Sequence, residues 1–259
     1  MTASCTRVSE LRPRLSIIVA TYNACETLER CLQSVFEQSF SDWELLIADG
    51  GSTDGTQQLI RAHADKLAWW QSKPDNGIYD AWNQAISHAH GEYVSFLGAD
   101  DAWHTTHTLA DIFGALGSEP YDLVTGRGAL INAGGVRYHT FGSGWNFHKV
   151  ARRITICHPG AFHRRDLFER YGPFDTSYRI CADYDFLLRL PAETKALYLD
   201  FPWVDVADAG VSRSRRGLML REKYRAQARC SRIGKVRAAI NYADKLWRIP
   251  VARILGIPN

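Results

Sequence analysis

Short apolar runs separated by helical spacings fill the first hundred positions of this 259-residue chain. Leu15–Ala20 (LSIIVA), Trp43–Ala48, Ala68–Gln71 and Tyr93–Leu97 are rich in β-formers, and each predicts a strand. Between the first two, Leu28, Cys31, Leu32, Val35 and Phe36 recur at i, i+3, i+4, i+7 and i+8, which predicts an amphipathic helix over Cys25–Gln38. A second helix is expected near Gln57–Ala64. Ile78, Trp82, Ala85, Ile86 and Ala89 mark a third. Strands alternating with helices imply βαβ units and an α/β fold with a mainly parallel sheet flanked by helices.

Beyond Asp101 the pattern changes. Leu123–Tyr138 predicts a hairpin turning at Ala133-Gly134-Gly135, and Ser143–Ile156 has no period and is expected to be a mobile loop. Helical spacing returns at Arg164–Tyr171 and Asp183–Arg189, and from Leu218 to Pro250 the chain reads as mostly helical. No internal repeat or low-complexity segment interrupts it.

Charge adds an asymmetry that the net value of +3 conceals. Arg213 to Arg253 holds 13 Lys and Arg against two acids, leaving 18 basic and 26 acidic residues in the rest. An acidic body with a basic helical tail asks for an anionic partner. Six cysteines (Cys5, Cys25, Cys31, Cys157, Cys181, Cys230) make no C-x-x-C pair and no zinc spacing, so reduced thiols in a cytoplasmic protein are expected. The opening MTASCTRVSELRPR has no apolar signal core, and no apolar stretch approaches the ~20 residues of a membrane span.

The polar residues with chemical potential lie just after the strands: Thr21-Tyr22-Asn23, Asp49–Thr56 (DGGSTDGT), Pro74–Gly77, and Asp100-Asp101 at the end of GEYVSFLGADD. Four polar loops on the carboxyl rim of a parallel sheet describe a nucleotide-sized crevice. Each also has a plain geometric use, as a helix cap or a turn. Asp100 and Asp101 suit a hard divalent cation, Mg²⁺ or Mn²⁺, that holds a diphosphate, and they equally suit the cap of a following helix. A dinucleotide-binding turn is excluded, because ATYNACET after the first strand contains no glycine, and no P-loop lysine follows a glycine-rich turn.

Three stretches together resemble the inverting family 2 glycosyltransferases of the GT-A fold: LSIIVATYNACETLERCLQSVFEQSFSDWELLIADGGSTDGT, PDNGIYDAWNQAISHAHGEYVSFLGADD, and HPGAFHRRDLFERYGPFD running into YRICADYDFLLRL. They span roughly residues 15–190 in the family's order, with the closest likeness to bacterial enzymes of exopolysaccharide, colanic-acid-like and O-antigen assembly. The resemblance implies a donor-binding half over 15–101 and an acceptor half over 102–212, preceded by an arm (1–14) and followed by the tail (213–259). It implies that Thr21, Tyr22 and Asn23 face the donor's nucleoside, with Asp49 by its base or ribose. Asp75, Gly77 and Asn83 would line the donor pocket, and His158 would lie near diphosphate and acceptor. Asp100 would hold the divalent metal and the diphosphate, with Asp101 beside it, and Asp183 would be the general base. The chain departs from the family at four places. Gly98 and Ala99 replace acids, Ala182 replaces a glutamate, Trp82 replaces an arginine, and Gly50 replaces the aspartate that reads uracil, which favours a GDP-sugar over a UDP-sugar.

The implied reaction moves a sugar from a nucleotide-diphospho-sugar to a glycan acceptor, lipid-diphosphate-linked, with inversion. A carboxylate such as Asp183 suits removal of the acceptor's proton. Two rivals stay open: a degenerate domain that binds nucleotide-sugar or glycan without turnover, and a nucleotidyltransferase. Trp103 and Trp145 are candidate sugar-stacking faces or core. Val236, Ile240, Ala243 and Trp247, interleaved with Lys235, Arg237, Lys245 and Arg248, predict an interfacial helix on the anionic inner face of the cell membrane, continued by Leu246, Ile249, Val251, Ile254 and Leu255. Nucleic acid is not an expected partner, since the body is acidic and carries no binding motif.

Overall fold

The computed structural model describes residues 12–208 and 215–254, with side chains through Lys245. The first eleven residues of the expected arm, Cys5 among them, lie outside the described residues, as do Leu255 and the side chains of Leu246, Trp247, Arg248, Ile249, Val251 and Ile254.

The parallel half follows the predicted order. Strand β1 (Leu15–Thr21) leads to helix α1 (Leu28–Phe36), β2 (Trp43–Asp49) to α2 (Thr56–Ala62), and β3 (Trp69–Ser72) to α3 (Ile78–Ile86) before β4 (Tyr93–Gly98). The strands pair in parallel as β3-β2-β1-β4, Leu15 opposite both Trp43 and Tyr93. Alternation along β1 feeds two cores at once. Ile18 packs with Leu46, Val94 and Phe96 on one face of the sheet, while Ile17 and Val19 pack with Leu45, Ile47 and Leu97 on the other. A sheet buried on both faces needs uninterrupted apolar runs, and LSIIVA meets that need.

After β4 come β5 (Ala102–Trp103), α4 (Thr108–Leu116), β6 (Leu123–Ile131), β7 (Arg137–Phe141), α5 (Phe147–Arg152), β8 (Phe162–Arg164), α6 (Asp166–Tyr171), α7 (Ala182–Arg189) and β9 (Ala196–Ala207). The sheet continues from β4 as β8-β6-β9-β5, with β7 beside β6. Strand β8 is antiparallel to both β4 and β6, and β6 is parallel to β9, so β1–β4, β6 and β9 share one direction. The result is the expected mixed, mainly parallel sheet. The stretch expected to be a mobile loop holds α5. Asn146 caps it by accepting the Lys149 N–H at 3.0 Å, and Phe147 and Val150 bury its inner face.

Two helices close the described chain, α8 (Arg216–Arg229) and α9 (Gly234–Ile254). Helix α9 runs past Pro250, where the sequence reading ends it. Helix α8 is part of the body. Leu220, Glu222, Ala226 and Gln227 are buried, the Gln227 amide donates to Tyr184 Oη on α7 at 2.8 Å, and Arg229 pairs with Asp175 at 2.8 Å. Arg229 thus offsets one acid of the body. Among the described residues no helix is long and apolar enough to cross a membrane, and Cys25, Cys31, Cys157, Cys181 and Cys230 are free thiols.

Candidate functional site

The order β3-β2-β1-β4 reverses direction of growth between β1 and β4, and open α/β sheets bind ligands at such a switch point. The loops after β1 and β2 meet there as one unit. Asp49 at the end of β2 is buried, and its carboxylate accepts from Thr21 Oγ1 at 2.8 Å, Ser72 Oγ at 2.6 Å, Ser52 N at 3.0 Å, Gly51 N at 3.2 Å and the Ser52 hydroxyl. Burial opposes its charge, but donors from Ser52, Ser72 and Thr21 outweigh burial and hold its carboxyl below the usual range. Asp49 and Thr21 thus build the loop from beneath, where the sequence reading places them against the nucleoside. Asn23 adopts φ 48° and ties the two loops together, its N–H donating to Ser52 Oγ at 2.8 Å and its Oδ1 accepting from Thr53 N at 3.0 Å. Tyr22 projects beyond this frame, 69% exposed, with its ring free for a planar base.

Asp75, Gly50 and Tyr22 converge at the mouth of the loops. A Cβ added to Gly50 would lie 2.9 Å from Asp75 Oδ2 and 3.3 Å from the Tyr22 ring, so the Asp75 carboxylate fills the space a side chain at 50 would take. Asp75 Oδ1 accepts from Gly77 N at 2.7 Å, which leaves Oδ2 turned toward Gly50. This proximity of Asp75 to Gly50 is invisible in sequence spacing. Gly77 takes φ 109°, and the Arg179 guanidinium binds the Asn76 carbonyl beside it. Asn83, expected in the pocket, is instead engaged by the Phe174 backbone at both ends of its amide, at 2.8 and 2.9 Å.

The two aspartates after β4 separate in role. Asp101 is buried and turned inward, Oδ2 accepting from Gly98 N at 3.0 Å and Oδ1 from Ala207 N at 3.2 Å, which fastens the end of β4 to the end of β9. Burial, reinforced by the charge of Asp100, pushes its carboxyl up to about 7. Each oxygen of Asp101, expected beside the metal, accepts one backbone N–H. Asp100 is half-buried, and no donor among the described residues occupies its carboxylate; its own carbonyl accepts from Arg30. A Cβ on Gly98 would meet Asp100 Oδ1 at 2.7 Å and Asp101 Oδ2 at 2.8 Å, so a side chain at 98 would require these carboxylates to turn. Among the described residues no cluster of three or more His, Cys, Asp or Glu converges on one point. One outward carboxylate completed by diphosphate oxygens is nevertheless a donor set that Mg²⁺ and Mn²⁺ accept.

Asp183 stands in the first turn of α7. Its carboxyl is driven up to about 6, chiefly by burial, against the pull of backbone N–H groups and the Tyr79 hydroxyl. That hydroxyl, from α3 just after the Asp75–Gly77 turn, shares its proton between the Ile180 carbonyl at 2.6 Å and Asp183 Oδ1 at 3.1 Å. Asp183 is therefore tied to the helix that follows the third loop. A carboxylate poised near neutral pH in this setting can take a proton from a substrate hydroxyl.

His158 lies in the core below. Its ring stacks 5.5 Å from Trp82 and 5.6 Å from Phe96, its Nε2 has no partner, and burial lowers its pKa to about 3, so the ring is neutral. Trp82 is buried with its indole N–H unpartnered, in the same aromatic layer. Trp103 is core, set edge-to-face against Phe162, and Trp145 is half-buried with its N–H on the Ala192 carbonyl at 3.1 Å. Trp103 presents no open sugar-stacking face.

Residues 16–172 match the family described as Glycosyl transferase family 2. The chain is 36% identical over 181 residues to a PGL/p-HBAD biosynthesis glycosyltransferase of Mycobacterium bovis, covering 68% of this chain and 69% of that protein. Its fold is similar to S. aureus TarS in complex with UDP-GlcNAc (TM-score 0.66, 20% identity, 90% of this chain and 71% of that one). It is similar too to the mannosyltransferase PcManGT of Pyrobaculum calidifontis in complex with GDP-Man and Mn²⁺ (TM-score 0.60, 22% identity, 95% and 79%).

Proposed function

Because the chain belongs to glycosyl transferase family 2, we propose that it transfers a sugar from a nucleotide-diphospho-sugar to a lipid-diphosphate-linked glycan in cell-surface polysaccharide assembly. It is an inverting glycosyltransferase with the GT-A fold. The observation that carries the mechanism is Asp183, a carboxyl raised to about 6 and tied through Tyr79 to the donor-side helix. The acceptor hydroxyl gives its proton to Asp183 as its oxygen bonds to the anomeric carbon. The bond from that carbon to the diphosphate oxygen breaks with its electron pair, and nucleoside diphosphate leaves from the opposite face. Asp100 would hold a divalent cation whose charge, when bound, offsets the charge growing on the leaving diphosphate. The Mn²⁺ and GDP-Man named for PcManGT support that role.

The free edge of Asp75 supports a guanine nucleotide. Guanine turns two adjacent donors, N1–H and N2–H, toward a carboxylate, whereas uracil offers a single N–H. Incubated with acceptor lipid and a divalent cation, the protein is expected to release free GDP from a GDP-sugar faster than UDP from a UDP-sugar. Faster UDP release overturns the base assignment. Pyrophosphate released from a nucleoside triphosphate and a sugar 1-phosphate would instead mean nucleotidyl transfer, and no product from either mixture would mean a binding domain.

Helix α9 supports docking at the inner membrane face. Val236 is 77% and Ile240 57% exposed, Ala243 is exposed on the same side, and Lys235 and Arg237 flank them. An uncovered apolar stripe among cations fits the headgroup layer of anionic lipid, each near-surface cation contributing about 1 kcal/mol. At low salt the chain is expected to float with anionic vesicles, and Val236→Asp combined with Ile240→Asp to stay at the bottom of the gradient. Equal flotation of both would return the stripe to a packing role.

A further inference from the structure

Asp183 is held in place from a helix the reaction itself does not use. Glu222 on α8 is only 6% exposed, and its carboxylate accepts three consecutive backbone N–H groups: Arg179 at 2.8 Å, Ile180 at 2.8 Å and Cys181 at 3.0 Å. These groups lead directly into α7, whose N-cap residue, Cys181, contributes no side-chain cap. A carboxylate is well matched to the positive end of a helix and to N–H groups that would otherwise be buried unpaired. The same short segment is gripped on its carbonyl side, where Ile180 O accepts from Tyr79, the residue that also touches Asp183. Its backbone is thus pinned between α3 and α8, and Asp183 follows two residues after the last pinned N–H.

We propose that Glu222 is a positioning residue for the general base, fixing the Arg179–Cys181 segment so that Asp183 faces the acceptor hydroxyl. The inference rests on the reading of Asp183 as base. Depositing a full negative charge in the interior is costly, and a neutral side chain could staple two helices at lower cost. What a charge adds is an influence on Asp183 itself, whose carboxyl is raised mainly by burial and further by the charge of Glu222. The other titratable groups around this point are Tyr79 from α3, Cys181 before α7, and Lys223 and Arg225 on α8. Tyr79 and Cys181 are pushed up by burial and stay neutral, while burial brings Lys223 down to about 8.

Glu222→Ala and Glu222→Gln in the full chain test this, with folding followed by circular dichroism. Glu222→Ala is expected to lower kcat about 10²-fold while donor KM changes less than about threefold, because the Thr21–Asn23 and Asp49–Thr56 loops are held by bonds to one another and to Ser72. Glu222→Gln keeps one acceptor and loses the charge. It is expected to retain more kcat and to shift the rising acidic limb of kcat to lower pH by several tenths of a unit, since a base relieved of a neighbouring anion ionises more readily. If kcat and the limb are unchanged in a folded Glu222→Gln, the proposal fails, even if Glu222→Ala does not fold. A fall in kcat that only tracks the folded fraction, with the limb unmoved, also overturns it and leaves a stabilising staple. Full turnover by Asp183→Asn would instead overturn the base reading beneath it.

Discussion

Asp183→Asn is expected to fold, to bind nucleotide-sugar as the parent does, and to transfer sugar about 10²–10⁴-fold more slowly. The amide keeps the shape of the carboxylate and can still accept from Tyr79, but it cannot take the acceptor's proton. In the parent protein kcat should rise with pH through about 6, because the base works only when ionised and its carboxyl is raised to that value. Below that point the rate should fall about tenfold per pH unit, and above it level off. In the variant the residual rate should lose this limb. Calorimetry with nucleoside diphosphate separates chemistry from binding. Near-parent turnover by Asp183→Asn would remove this residue from the mechanism.

Chelation is expected to have a comparable effect through a different atom. With EDTA the transfer rate should drop by about 10²–10³-fold and recover with Mn²⁺ or Mg²⁺, the loss expected when several kcal/mol of charge stabilisation on the leaving group is withdrawn. Asp100→Ala should reproduce the loss, and its affinity for nucleoside diphosphate should no longer respond to added Mn²⁺. Asp101→Ala should behave otherwise. Its oxygens hold Gly98 N and Ala207 N, so its removal should lower the melting temperature, with an expected cost of about 1–3 kcal/mol for the buried groups left unpaired. Equal rates with and without EDTA would show that transfer proceeds without a cation on Asp100.

The parallel half was legible because its strands are buried on both faces and its helices are amphipathic, so β1, β2, β4 and α1 appear as runs and stripes. Strand β9 was not, since ALYLDFPWVDVA mixes exposed and buried positions around Pro202, and its register against β6 shifts on the way. Helix α5 is six residues long, too short for a period to show, although Asn146 before Phe147 was a readable cap. At the candidate site, sequence order placed the loops on the carboxyl rim of the sheet. It could not say which way a side chain turns. Asp49 gathers hydroxyls from Thr21 and Ser72, Asn83 and Asp101 bond backbone groups of Phe174 and Ala207, and Asp75 fills the space above Gly50, all through contacts far away in sequence. Glu222 left one trace, a lone acid within the cationic run R-E-K on α8, easily read as surface charge.

The distance in sequence between Glu222 and the segment it grips also fixes an order of events during synthesis. The Thr21–Asn23 and Asp49–Thr56 loops bond to one another and to Ser72, all within the first third of the chain, so they can settle soon after leaving the ribosome. Asp183 emerges later, and its support arrives about 40 residues later still, with α8. A nascent chain can therefore join its first two loops well before the segment ahead of Asp183 has anything to hold it.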